Sequence, residues 1–440
     1  MRRLSESKVE YLRQVWSRSK TFRIILVVVS VYVLLRLIVH FIYLTQFFPD
    51  DLRVYLEAAN NLLRRQELYP KGALTRADSY QYAPSFALAF VPFLWLPRGL
   101  VALIHTLLHI GAYGLLYVGW SRIFRRLGLD RANEMLAWTL PVWLVFSQFW
   151  GDLGFLNVYI FMALLATWLI DAILNEHLGW SLVWLSIILQ VKPMWAFAVA
   201  VPLLLGRYRF FLKLLALAAV AYVAIVGVVT LATGTVYGWQ QHVDYARHLS
   251  SMQGGNFPWR TPDKGFLGYN HSITQITVYW LGVTPFALRL AVAIKALLLA
   301  PLAWVSLRRL LQPIGRAGRD VPQWGLDLAF ALYLGTFIWL DVVWEVTLGI
   351  AVFTYLLATL GPHQQVAKTL VWVVFLPYAL VDFCQLIGVA VLGMDAILPG
   401  ALFVTDPSIY IPLVMIVTLT FYALLVKRLW RVSARQIVSA

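Results

Sequence analysis

Three groups of residues in this sequence have types and spacings suited to chemistry. Lys192 stands in the middle of the apolar segment WLSIILQVKPMWAFAVAVPLLL, next to Pro193. An ionisable side chain in such a segment is expensive unless it faces a wet cavity or a partner, and the proline frees backbone groups that must line a cavity or find new partners. A cation beside a broken helix makes an anion site; the competing reading is a lysine that snorkels from a helix end. Asp50 and Asp51 open the amphipathic stretch LRVYLEAANNLLRRQ, where an aspartate either only caps the helix or has a further role. The third group is the loop carrying Trp239, His242, His248, Trp259, Arg260 and the segment GYNHSITQ at 268–275. Rings pack on sugar faces while amides and cations bind hydroxyls and anions, although the same mixture suits the headgroup zone of a bilayer. Arg36 calls for a carboxylate partner. His105 and His109 share a helix face at i, i+4 without a third ligand, so no metal is assigned to them.

The elements that must position these residues are set by composition. The chain is 61% hydrophobic and 13% charged, with a mean hydropathy of +0.73, far from a soluble norm of about 25% charged. Its apolar residues come in runs of helix-spanning length, whereas barrel strands would alternate. An all-α polytopic membrane protein follows. The net charge of +15, from 36 Lys+Arg against 21 Asp+Glu, is spread over short stretches between apolar runs. That is the positive-inside pattern rather than a nucleic-acid surface. No G-x-x-x-x-G-K-[ST] and no G-x-G-x-x-G opening a helix after a strand is present, so no nucleotide site is expected. The single Cys384 excludes an internal disulfide or a cysteine-based zinc cluster and reads as an inert packing residue.

Arg2, Arg3, Lys8, Arg13, Arg18, Lys20 and Arg23 precede the first apolar run, which has no small-residue cleavage site and reads as a retained anchor. With Lys427, Arg428, Arg431 and Arg435 near the other end, both basic tails, 1–22 and 427–440, are expected in the cytoplasm, flanking one membrane domain at 23–426. Long apolar segments lie near 23–47, 99–121, 135–150, 153–174, 211–233, 286–307, 325–341, 344–361, 369–392 and 408–426. Three others are short or interrupted, 82–97, 180–206 and 272–283, giving about 10–13 transmembrane or partly spanning helices. The stretches 49–81 and 234–271 should both be extracytoplasmic. The first should lie as a helix on the membrane surface, with Leu52, Tyr55, Leu56, Ala59, Leu62 and Leu63 on its apolar face.

The ordered motifs of residues 45–350 resemble glycosyltransferase family 87 of the GT-C superfamily, whose members use polyprenyl-phosphate sugars. The family's D-[FL]-x-V-Y pattern is met by Asp51-Leu52-Arg53-Val54-Tyr55, and its following x-P-Y by Leu68-Tyr69-Pro70 with Tyr and Pro inverted. Its Y-x-P opening and P-L-x-x-L-P close are met by Tyr82-Ala83-Pro84 and by Pro92 to Pro97. G-Q-x-N is met by Gly154-Phe155-Leu156-Asn157 with the glutamine replaced, K-P by Lys192-Pro193, and N-x-S by Asn270-His271-Ser272. Of a C-terminal S-P-x-S-W-[DE]-H-H only Trp344-Glu345 remain, Val346 and Thr347 standing where histidines are usual.

The resemblance implies a GT-C-like bundle and an inverting transferase moving a sugar, mannose first among the options, from polyprenyl phosphate to a lipid or glycan acceptor on the extracytoplasmic face of the cell membrane. The phosphate leaves with little need of protonation, so one general base suffices instead of a glycosidase pair. Asp51 takes that role. Burial would raise its pKa and Arg53 would lower it. Lys192, with Asn157, Asn270 or His271, would stabilise charge on the departing phosphate, with Tyr82 and Arg53 also at the donor site and Asp50, Tyr55, Trp344 and Glu345 in a second tier. Membrane lipids surround the protein and no cofactor is required. Asp50-Asp51 alone would make an incomplete site for a divalent cation. The competing class is a flippase or transporter of lipid-linked sugars, which would also break helices at mid-membrane depth. A structural subunit would need no functional aspartate.

Overall fold

A computed structural model describes residues 11–70, 79–252, 257–261, 263, 270–311, 322–343, 346–361, 363–392 and 407–438. All regular structure among them is helical. The order is α1 (Lys20–Gln46), α2 (Asp50–Leu63), α3 (Pro84–Phe90, continued as a 3-10 turn over Val91–Trp95), α4 (Arg98–Arg126), α5 (Asp130–Trp138), α6 (Leu140–Val145), α7 (Ser147–Phe155), α8 (Tyr159–Leu174) and α9 (Leu178–Val191). A 3-10 segment (Pro193–Val199) leads to α10 (Ala200–Leu204), α11 (Tyr208–Thr233), α12 (Thr235–Ser251), α13 (Ile273–Leu281), α14 (Pro285–Leu311), α15 (Pro322–Trp339), α16 (Gly349–Thr359), α17 (Gln365–Ala379), α18 (Val381–Leu392) and α19 (Pro407–Val438).

Among the described residues, five helices are long and apolar enough to cross a membrane: α1, α4, α11, α14 and Leu413–Arg431 of α19. Two bent pairs raise the number to seven, and shorter apolar helices, α9 and α16 among them, fill the space between. The protein is therefore a polytopic membrane protein, with fewer long straight helices than the apolar runs suggested. Segments 135–150 and 153–174 read as two spans. They form instead the stretch Leu140–Phe155 and Tyr159–Leu174, bent by 117°. On α1, Ile24, Val27, Val31, Leu34 and Ile38 are exposed, as are Val220, Val223 and Leu231 on α11. Apolar surface of this extent on helices of spanning length suits a lipid environment.

The two sharply bent helix pairs have side-chain fastenings at their breaks, as backbone groups away from water require. Between α7 and α8 the chain turns through Leu156 in the left-handed region (φ 51°), and Asp152 accepts the free amides of Tyr159 (3.1 Å) and Ile160 (2.9 Å). Between α17 and α18, Ser147 Oγ donates to the Ala379 carbonyl at 2.8 Å and accepts the Asp382 amide at 2.9 Å. The turn from α11 into α12 uses Gly234 at φ +100°, and Gly238 lets the two helices close, because a Cβ there would lie 2.6 Å from Thr230 Cα.

Polar contacts order the bundle along its axis. Arg126 pairs with Asp171, Arg207 with Glu176 and Arg428 with Asp327, while Phe22 packs on Trp138. The basic ends of α4, α11 and α19 therefore gather at one end of the molecule with the start of α1. The first turns of α2, α3 and α8 and the end of α9 gather at the other.

Arg36 finds the carboxylate it called for. Its Nε and Nη2 reach both oxygens of Asp382 at 2.6 and 2.9 Å, and Tyr32 Oη donates to the same carboxylate at 2.6 Å. Both charges are buried. Asp382→Asn would strand the guanidinium, so folding stability should fall by about 3–5 kcal/mol. Thermal unfolding in detergent checks this, and an unchanged midpoint would show that the pair does not hold α1 in place. Cys384, read above as a packing residue, is exposed. It lies on a face of α18 that the bundle does not cover.

Candidate active site

α2 begins at Asp50, just after Pro49, and its residues place Leu52, Tyr55, Ala59 and Leu62 on one face. These are buried with Val54 and Ala58, and α2 packs against α3, so the apolar face meets protein as well as any membrane surface. Leu56 is only half-buried and Leu63 is exposed, contrary to the face expected for them. No side chain caps this helix, since its cap position is Pro49. Asp50 and Asp51 instead occupy the first turn, where carboxylates interact favourably with the helix dipole. One reading of the pair, as caps alone, is thereby removed.

The two aspartates part company in three dimensions. Asp50 is exposed and pairs at 3.2 Å with Arg53, which also reaches Glu57 at 3.3 Å on the outer face. Asp51 is half-buried on the inner side. Burial pushes its carboxyl up from the ordinary carboxylate range to about 7; the Lys192 ammonium opposes the rise, the Asp152 and Asp50 charges add to it, and a hydrogen bond with Asn157 opposes it. Desolvation wins over Lys192.

Asn157 is oriented by its neighbours. Its Oδ1 accepts the Val158 amide at 2.6 Å and the Tyr55 hydroxyl at 3.1 Å, with Tyr82 Oη at 3.4 Å. Tyr55 and Tyr82 hydroxyls lie 3.0 Å apart. With one proton each, Tyr82 donates to Tyr55 and Tyr55 to Asn157, so the oxygen of the amide faces the tyrosines and its NH2 is left for Asp51. Behind this layer His109 Nε2 bonds the Asn157 carbonyl, its Nδ1 bonds the His105 carbonyl at 2.7 Å, and Asp152 lies 3.6 Å away.

α9 ends at Val191 because Pro193 cannot continue it. Lys192, in extended backbone, points inward. Its Nζ donates to Tyr159 Oη at 3.2 Å and lies 4.2 Å from the Tyr159 ring and 5.1 Å from that of Tyr82. Two residues earlier, buried Gln190 accepts Ser85 Oγ at 2.6 Å, and its Nε2 has no partner among the described residues. A carboxyl of raised pKa thus lies within electrostatic reach of a lysine, among tyrosines and amides.

Asn270 and His271 fasten their segment to residues 341–343. Asn270 accepts the Ser272 and Val343 amides and donates to the Asp341 carbonyl, while the His271 amide donates to Val343. Nearby, Asp341 pairs with Lys295 and accepts Thr274 Oγ1. Trp344 and Glu345 lie outside the described residues. Among the described residues no group of three or more His, Cys, Asp or Glu side chains could hold a metal.

The sequence model of glycosyltransferase family 87 matches residues 80–333 of the 440. The chain belongs to glycosyltransferase family 87. No curated protein and no solved structure matches it. The matched part of this glycosyltransferase holds Tyr82, Asn157, Lys192, Asn270 and His271; Asp50, Asp51, Arg53 and Tyr55 precede it.

Sequence reasoning passed over Asp152, Tyr159 and Gln190 of the glycosyltransferase and weighed His109 only as a metal ligand. Asp152 had a signal, being an acid inside an apolar run. Tyr159 and Gln190 had none, since nothing in their spacing tells a pocket-facing tyrosine or amide from a packed one.

Proposed function

We propose that this glycosyltransferase moves a sugar from a polyprenyl-phosphate donor to a hydroxyl of a lipid or glycan acceptor with inversion, Asp51 acting as general base. The observation that carries the reading is the placement of Asp51, with its carboxyl raised to about 7, beside the inward-turned Lys192. A base works best when its pKa lies near the working pH. Asp51 takes the proton of the acceptor hydroxyl as that oxygen bonds to the anomeric carbon, and the bond from that carbon to the phosphate oxygen breaks on the opposite face. The electron pair leaves with the phosphate, whose charge Lys192 neutralises, as donors at an oxyanion site do. Asn157 steers the carboxylate, Tyr82 and Tyr159 hold the lysine, and the unpartnered amide of Gln190 suits a sugar hydroxyl. Asn270, with its carbonyl oxygen spent on backbone amides, acts as a fastener of the 341–343 wall, with His271 beside it. Arg53 shields the outer face of α2.

Incubation of membranes containing the protein with labelled polyprenyl-phosphate-mannose tests the reading. Label should pass to a lipid-extractable or glycan product. Movement of donor across the bilayer without transfer would favour a flippase instead.

The same reading puts the Asp51 end outside and the basic end in the cytoplasm of the cell. On a Cys384→Ser background, cysteines placed at the exposed positions Glu67 and Ser250 should react with a membrane-impermeant thiol reagent in intact cells. Labelling of both only after permeabilisation would reverse the orientation.

A further inference from the structure

At the basic end, opposite the proposed catalytic site, α4, α8 and α9 enclose a cavity of about 480 Å³. Tyr159, beside Lys192, and Asp171, on the cavity wall, are twelve residues apart on α8, about 18 Å at 1.5 Å per residue. The wall has a gradient of polarity. Along α4 it runs from Leu115 and Val118 to Arg122 and Arg126, at helical spacing on one face. Across from these, Trp168 and Trp184 have ring centroids 4.6 Å apart, and Trp180 stacks on Trp184 at 5.4 Å. Trp180 and Leu115 are 59% and 49% exposed, so the groove opens sideways, where lipid tails would lie.

Charge is concentrated at one rim. Arg126 is neutralised by Asp171 at 2.8 Å. Arg122 is exposed and has no ion-pair or hydrogen-bond partner among the described residues. A cation at the rim of an indole-lined apolar slot, open to the hydrocarbon, matches a molecule with an anionic head and acyl tails. We propose that this groove is a binding site for a two-chain anionic phospholipid, its phosphate on Arg122 and its upper acyl segments along Leu115, Val118 and Trp184. It lies at the other end of α8 from the donor site, so it serves a lipid that is not the substrate.

The test is native mass spectrometry of the full-length protein titrated with phosphatidylglycerol, with phosphatidylcholine as the neutral comparison. The expected result is preferential retention of phosphatidylglycerol by the wild type. Arg122→Gln should weaken it about tenfold, the scale of one charge-assisted contact, and Trp184→Leu should weaken both lipids. Arg209→Gln, which removes an exposed charge outside the groove, should change affinity by less than about twofold, since exposed charges at a distance are screened. Equal retention of the two lipids by wild type, equal losses in Arg122→Gln and Arg209→Gln, or no loss in Arg122→Gln would each overturn the proposal. Displacement of the lipid by millimolar inorganic phosphate would overturn it in favour of a small-anion site.

Discussion

Asp51→Asn is expected to insert, fold and bind donor while transferring almost no sugar. Removal of a general base typically lowers the rate about 10²–10⁴-fold. The fold should tolerate the change well. Asn157 hydrogen-bonds this side chain, and burial already disfavours its charge, so a neutral isostere relieves that penalty while giving up a dipole interaction of about 0.3–1 kcal/mol. Asp50→Asn, on the exposed face beside Arg53, should keep much of the activity. The wild-type rate should also depend on pH with a definite sign. A base must be unprotonated, so turnover should rise with pH through about 7 and level off above it, and the slope should vanish in the residual activity of Asp51→Asn. Single-turnover transfer from labelled donor measures all of this. Near-normal transfer by Asp51→Asn would dismiss Asp51 as the base, and equal losses in both variants would point to a shared cation site.

Lys192→Met keeps the length of the side chain and removes its charge. Donor binding should weaken by about 1.5–3 kcal/mol, the worth of one hydrogen bond to a charged group, roughly 10–100-fold in affinity. A second effect follows from the coupling between the two residues. Lys192 holds the Asp51 carboxyl down against the effect of burial, so its loss should carry the midpoint of the pH–rate profile further to the alkaline side. A lysine that only packed against the Tyr82 and Tyr159 rings would leave donor affinity in place. An unchanged affinity would remove Lys192 from the donor site.

The apolar runs were enough to establish membrane helices, because hydrocarbon admits backbone only when its polar groups are satisfied locally. Lys192-Pro193 was enough to establish a break, because a proline cannot continue a helix. The ordered motifs were enough to suggest the family that the match over 80–333 establishes. What could not be read was where a side chain points at a break. Asp50 and Asp51 are neighbours of one type, and only the packing of α2 on α3 puts the second inside and the first outside. Asp152 and His109 could be recognised as partners only after α7 had packed on α4, bringing residues 43 positions apart to 3.6 Å. Local composition decides which segments enter the membrane, because partition into lipid is a sum over residues. The electrostatics of a site depends on distances between residues far apart in the chain, and those exist only once the helices have packed.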